Sequence, residues 1–469
     1  MSLAIVWFRR DLRLADNPAL TEALANYDQV LPVYIQPAAA APWDAGAASN
    51  WWLHYALDDL RQALGGRLLL RLGPALETLQ DLITETGAEA VYWNRLYEPA
   101  AIARDTEIKQ TLRDARVTTA SANASLLFEP WSVANKQGLP FRVFTPFWKS
   151  LLNTGLPDRP LPAPDLAGRL VDPAGFAQVS LDGLELLPAI AWDHGLATAW
   201  QPSREAALAR LDEFLATNLR RYDEGRDLPG EDWVSRLSPY LHFGQLGPRE
   251  IVAATPEGEP GGAAFLREIG WREFAHYQLY HFPHTSDAPM DVRFDGFPWR
   301  EADDELHAWQ QGQTGIPMVD AGMRELWETG WMHNRVRMIV ASFLTKNLLL
   351  PWQEGARWFW DTLVDADLAS NSLGWQWTAG SGADAAPYFR VFNPVLQGQK
   401  FDKRGDYVRR WVPEINNLPD KYLHQPWEAP ADVLAAAGVR LGEDYPAPIC
   451  DLKASRQRAL AVWDQLKKR

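Results

Sequence analysis

Cysteine is almost absent. The single thiol, Cys450, excludes a disulfide framework and any thiolate cluster around a metal, and it fits a reducing compartment. The chain also has no HExxH, so that zinc-hydrolase pattern is missing and no metal is expected. Long apolar runs are lacking: the opening Met1-Ser-Leu-Ala-Ile-Val-Trp-Phe-Arg-Arg10 is cut by charge after a few residues, too short for a signal peptide or a membrane span. Later runs are short as well, so a soluble, unexported, cytoplasmic chain is expected. Net positive charge is lacking too. A formal charge of −14 argues against nonspecific coating of nucleic acid, but it excludes only a global basic field. No internal repeat or low-complexity tract is visible, and a last helical pattern from Lys453 to Lys468 is expected to close the chain without a disordered tail.

What is present in excess is tryptophan. Twenty-three indoles (Trp 23) in 469 residues suggest aromatic ligands, stacking or electron transfer, with a Trp-rich core as the alternative. The length predicts two domains. Strand patterns at Ala4 to Phe8, Val30 to Ile35, Arg67 to Arg71, Ala90 to Trp93 and Val117 to Ala120 alternate with helical patterns from Asn17, Trp51 to Leu64, Leu76 to Thr86 and Ala103 to Ala115. This alternation predicts an α/β, doubly wound parallel five-stranded sheet. The first strand runs into Phe8-Arg-Arg-Asp-Leu-Arg13 where a dinucleotide fingerprint needs glycines, so the sheet alone implies no NAD or FAD site of that kind. From Asn153 to about Pro202, prolines scattered among small and acidic residues read as connector. Beyond it, helical patterns at Ala206 to Leu219, Glu250 to Ala254, Ala263 to His276, Asp303 to Gln311, Met318 to Trp327, Asn334 to Leu349 and Trp358 to Leu363 predict an all-α domain.

The stretch Asp365 to Phe392 combines spaced acids, Asn371, Trp375, Trp377 and a Gly-rich turn. On a helix the two indoles lie about 200° apart, which reads either as core and rim packing or as one ring facing the protein body and the other a cavity. Ser235-Arg-Leu-Ser238-Pro-Tyr240 puts a hydroxyl before a proline suited to a helix start, which reads either as a simple cap or as donors for a pyrophosphate. Glu268, Trp271 and Arg272 share a helical face, as do Asn334 and Met338 with Arg335 and Arg337 flanking. Two such mixed faces suit a planar, hydrogen-bonding ligand such as a nucleobase.

These residues carry a resemblance. Phe8 to Leu14, Ser235-Arg-Leu-Ser-Pro239, Trp271-Arg-Glu-Phe274, Trp331 to Met338, Gly374-Trp-Gln-Trp377 and Phe389 to Pro394 resemble, in order and along essentially the whole chain, the motifs of the photolyase/cryptochrome family. The resemblance implies an antenna-type domain over 1–130, a connector over 131–202 and a helical FAD- and DNA-binding domain over 203–469. It implies reduced FAD held by Tyr222, Ser235, Arg236, Leu237 and Ser238 on the phosphate side, with Arg337, Asp365, Asp367 and Asn371 near the flavin and its sugar. Val234 replaces a threonine of many relatives, removing one hydroxyl. Glu268, Trp271, Arg272, Asn334, Arg335, Met338 and Trp377 would surround a flipped-out cyclobutane pyrimidine dimer in DNA. Asn334 and Met338 stand where relatives acting on the (6-4) lesion resemble one another in using histidine. The implied reaction is one-electron transfer from the excited reduced flavin, ring splitting and electron return, with Trp375, Trp352 and Trp299 as the relay that reduces the flavin.

The segment from Gly46 to Leu53 resembles the branch of photolyases near plant cryptochromes. Methenyltetrahydrofolate is the expected antenna there, with a deazaflavin as its rival. A blue-light receptor that does no repair is the alternative. Against it stand Asn371, where plant-type receptors resemble this chain but carry an acid, and the lack of a long expected tail. A monomer that partners damaged DNA and no membrane is expected, with Arg335, Lys346, Arg390, Lys400, Lys403 and Arg404 forming its basic face.

Overall fold

The computed structural model describes residues 1–37 and 43–467, so Lys468, expected to end the last helix, lies outside the described residues. Strands β1 (Leu3–Phe8), β2 (Gln29–Gln36), β3 (Leu69–Leu72), β4 (Ala90–Asn94) and β5 (Thr118–Ala122) form one parallel sheet in the order β3-β2-β1-β4-β5. Helices α1 (Pro18–Asn26), α2 (Ala47–Ala63), α3 (Ala75–Thr86) and α4 (Pro99–Asp114) are the crossovers. The central β1, rich in β-branched and aromatic residues, is buried from Ala4 through Phe8, as a strand covered on both faces must be. Helix α1 starts where its cap predicts: the Asn17 side chain accepts from the Leu20 amide at 3.1 Å. The strand order reverses between β1 and β4, and the chain's own polar groups occupy that point. Asn94 Nδ2 donates to Asp11 Oδ2 at 2.6 Å and to Asn17 Oδ1 at 2.7 Å, all three residues being buried.

The connector is less bare than its prolines suggest. It contains α5 (Phe144–Thr154), which lies outside the helices expected from the sequence, and it pairs with the sheet where Val30 exchanges bonds with Arg169 and Val171. The chain folds as two compact units, one of residues 1–220, 235–283 and 364–368 and the other of 221–234, 284–363 and 369–469. The first unit therefore includes the connector and the Gly262–His281 helix, because residues 125–148 bond and pack along that helix.

The second unit is helical. Asn334–Ser342 does not continue as one α-helix to Leu349 but passes into a π-helical turn, Phe343–Leu348, that ends at Leu349 with φ +59°. The helix expected from Trp358 begins earlier, at Trp352, and runs to Thr362. His281 closes the Gly262–His281 helix of the first unit, and its Nε2 lies 3.1 Å from the Pro130 carbonyl.

Within the first unit, the turn after the Ser238–His242 helix presses on the end of β1. Gly244 has φ +69°, and a Cβ there would lie 2.3 Å from the Arg10 carbonyl oxygen. Gly244→Ala combines left-handed strain with a backbone clash and is expected to cost about 3 kcal/mol in urea titration. A loss below about 1 kcal/mol would contradict this close approach.

Candidate functional site

In the first unit, Glu268, Trp271 and Arg272 fall on one face of the Gly262–His281 helix, as expected, and each is half-buried. The Arg272 guanidinium is partly committed, donating to the Ser125 carbonyl at 2.6 Å. Buried Glu273 accepts from the Leu127 and Phe128 amides at 2.9 and 3.3 Å. Burial raises its pKa, against the opposing pull of Arg272 and those amides. Together these bonds fix the rotation of the helix, and Trp271 stacks on Phe144 of α5.

Ser235, Arg236, Leu237 and Ser238 lead into a five-residue helix, Ser238–His242, with Leu237 rather than a serine at the capping position and no side-chain cap. Arg236 holds φ +49°, a left-handed conformation that costs a non-glycine residue on the order of 1–2 kcal/mol. Asp365 and Asp367 are both buried. Asp367 Oδ2 lies 3.3 Å from His276 Nε2 and 3.8 Å from His242 Nδ1. Burial would raise the Asp367 pKa, but the two imidazoles hold it well below the carboxylate range. Arg10, paired with Glu98, adds positive charge toward the same carboxylate. His242 and His276 were not singled out from the sequence; they stand far from Asp367 along the chain, and no spacing rule connects them.

In the second unit, the Leu368–Ala379 helix separates its indoles as a two-residue step requires. Trp375 is 2% exposed, lying against Gly355, Phe359 at 5.0 Å and Trp309 at 6.1 Å, whereas Trp377 is half-buried. Trp309, another indole not singled out from the sequence, donates to the Val340 carbonyl at 3.1 Å. Between the two helix indoles, Gln376 donates to the Thr285 and Ala288 carbonyls at 2.7 and 2.9 Å and accepts from the Met290 amide at 3.0 Å. Asn371 Nδ2 donates to the Ala356 carbonyl at 3.0 Å. Trp352 is buried; Trp299 is half-buried, its ring 4.3 Å from that of Phe297.

Asn334 is exposed and Met338 half-buried on a helix whose cap, His333, accepts from the Arg335 amide at 3.2 Å. Arg337 Nε donates to the Met332 carbonyl at 2.8 Å. Arg335 pairs with Asp227 at 2.8 Å and lies over the Phe401 ring at 4.5 Å. Tyr222 is buried, with the Arg226 guanidinium 5.7 Å from its ring.

The basic face needs correction. Lys346 sits in the π-helical turn, 1% exposed, and donates to the Arg390 carbonyl at 2.9 Å. An ammonium held there cannot reach a phosphate. Arg404 is exposed but paired with Glu231 and Asp406. Among the described residues no cluster of His, Cys, Asp or Glu could hold a metal ion, and no helix is long and apolar enough to cross a membrane.

The chain is similar to known proteins along most of its length. A family model described as "DNA photolyase" matches residues 4–165, and one described as "FAD binding domain of DNA photolyase" matches residues 265–465. The chain is 48% identical to the deoxyribodipyrimidine photo-lyase of Agrobacterium fabrum, over 99% of this chain and 98% of that protein. It is 40% identical to cryptochrome-2 of Arabidopsis thaliana, over 97% of this chain and 77% of that one. The crystal structure of a bacterial class III photolyase from Agrobacterium tumefaciens superposes with a TM-score of 0.94 at 46% identity, covering 100% of this chain and 98% of that one.

The residues present suit FAD. Because Asn371 gives its nitrogen to Ala356, its oxygen is the atom able to accept an N–H such as that of reduced flavin N5. Ser235, Arg236 and Ser238, close together in sequence, supply two hydroxyls and a guanidinium, donors of the kind a diphosphate takes, and carboxylates such as those of Asp365 and Asp367 can accept from sugar hydroxyls.

Burial, then the nearby Arg390, lowers the Lys346 pKa to about 7 from 10.5. Between those values the unfolded chain holds more protons than the folded one, so this group makes stability rise as pH increases from about 7 to 10.5. Lys346→Met removes the buried charge and is expected to stabilise by about 2–4 kcal/mol at pH 6 and by clearly less at pH 10 in denaturant titrations. Equal changes at the two pH values would contradict a buried, strained ammonium.

Proposed function

The chain belongs to the photolyase/cryptochrome family, and we propose on that footing that it is a light-driven DNA repair enzyme, a carbon–carbon lyase that reverses cyclobutane pyrimidine dimers. Reduced FAD, when bound, would supply the light-driven one-electron chemistry by which the cyclobutane ring is split without net oxidation. Ser235, Arg236, Leu237, Ser238 and Tyr222 hold its phosphate side, and Arg337, Asp365, Asp367 and Asn371 address the flavin and sugar. Trp271 and Trp377 take the faces of the extruded pyrimidines, whose poor stacking in a dimer lowers the cost of flipping them out. Glu268 in its acid form donates to a pyrimidine carbonyl, where added charge would gather. Asn334 and Met338 line the same substrate, while Arg272 and Arg335 stand near the DNA phosphates. Trp375, Trp352 and Trp299 carry electrons inward to reduce the cofactor; two buried indoles and a half-exposed one suit a path from the surface.

The observation that carries repair over signalling is the Asn371 amide, anchored through its nitrogen. An amide at that position accepts a hydrogen bond but has no proton to release at neutral pH. In functional terms residues 1–130 serve as the antenna-type domain, 131–202 as the connector and 203–469 as the catalytic part. The protein acts as a cytoplasmic monomer, with a folate as second pigment in preference to a deazaflavin.

The purified protein is expected to show a flavin absorption spectrum, and after reduction and illumination to restore thymines in dimer-containing DNA, with no change in the dark. Flavin binding without light-dependent repair would favour the receptor reading. Trp271→Ala and Trp377→Ala are each expected to weaken binding of a dimer-containing duplex by about 1–3 kcal/mol. Trp299→Phe is expected to spare repair by pre-reduced protein and to slow photoreduction; equal loss in both assays rejects the relay.

A further inference from the structure

We propose that Phe144, on a helix of the connector, is a positioning residue for lesion recognition, acting as a flat wall that holds the Trp271 indole in one orientation. The inference rests on the reading of Trp271 as a lesion-stacking residue. The two rings lie 3.8 Å apart between centroids at 8°, nearly eclipsed. Isolated aromatic rings avoid that overlap in favour of offset or edge-on geometries, so the surroundings impose it.

Those surroundings are unusually complete. Phe144 is 1% exposed, meets Phe274 edge-on at 5.8 Å and lies parallel to Trp148 at 6.3 Å and 11°. Trp148 in turn occupies the space a side chain at position 270 would need: a Cβ on Gly270 would lie 2.5 Å from its ring. The backbone is tied as well. The Tyr277 hydroxyl donates to the Val133 carbonyl and accepts from the Phe141 amide, both at 3.0 Å, and Gln278 donates to the Phe141 carbonyl at 2.7 Å.

One face of Trp271 is therefore permanently covered, and a base can stack only on the other. An indole already held in its binding orientation loses less rotamer freedom when the lesion arrives. A leucine or methionine at position 144 keeps bulk and burial but offers no flat surface, leaving the indole free to turn.

The test is performed on the flavin-loaded protein in the dark, measuring the ratio of affinities for a dimer-containing and an undamaged duplex. Phe144→Leu and Phe144→Met are each expected to lower that ratio about five- to tenfold. In a Trp271→Ala background the same changes should have no further effect, a coupling that a general packing defect would not produce. Thermal melts identify a variant that fails to fold, in which case the other carries the test. If Trp271→Ala leaves the ratio intact, the lesion-stacking reading itself fails. If Trp271→Ala lowers the ratio while folded Phe144→Leu or Phe144→Met does not, the wall is overturned and the stacking reading stands.

Discussion

The close approach of Trp375 to Gly355 sets the rotation of the Leu368–Ala379 helix. A Cβ at Gly355 would lie 2.0 Å from the indole, so the ring occupies space that only a missing side chain leaves open. Once Trp375 is seated there, the geometry of a helix decides the rest. Trp377 must leave on the other side, and Gln376 is presented to three backbone groups that it satisfies in full. Asn371, one turn earlier, reaches the carbonyl of Ala356, the residue after that glycine. Asn371 and Trp375, four residues apart, thus share one side of this short helix, and Trp377 leaves on the other.

The first unit solves a similar problem by different means. The Gly262–His281 helix is held by buried Glu273, by Arg272 and by the aromatic face of α5, so Glu268 and Trp271 project from a helix with little freedom to roll. Asp367 is fixed electrostatically, between two imidazoles with the half-buried Arg10 and its partner Glu98 alongside. A carboxylate removed from water survives as an anion only with such compensation.

Much of this was legible in the sequence, for identifiable reasons. The alternating apolar runs of the first 122 residues predict the sheet because both faces of a parallel sheet are buried, and the cap at Asn17 is local chemistry. The shared face of Glu268, Trp271 and Arg272 follows from helical spacing alone. What escaped depends on distant partners. Helix α5 was hidden by the proline-rich stretch that follows it, although Phe144, Phe147 and Trp148 stand at helical spacing. The π-helical turn and the inward Lys346 have no signature in periodicity, since an isolated lysine reads as surface until the fold buries it. His242 and His276 acquire meaning only beside Asp367.

Return of a borrowed electron to the flavin would be read by a single flash on reduced, flavin-loaded protein bound to a duplex containing one dimer, following thymine recovery and flavin absorbance together. Dimers are expected to disappear while the flavin ends in the reduced form in which it began. Intact dimers despite bound flavin and bound lesion, or repair that leaves the flavin oxidised in proportion, would contradict it.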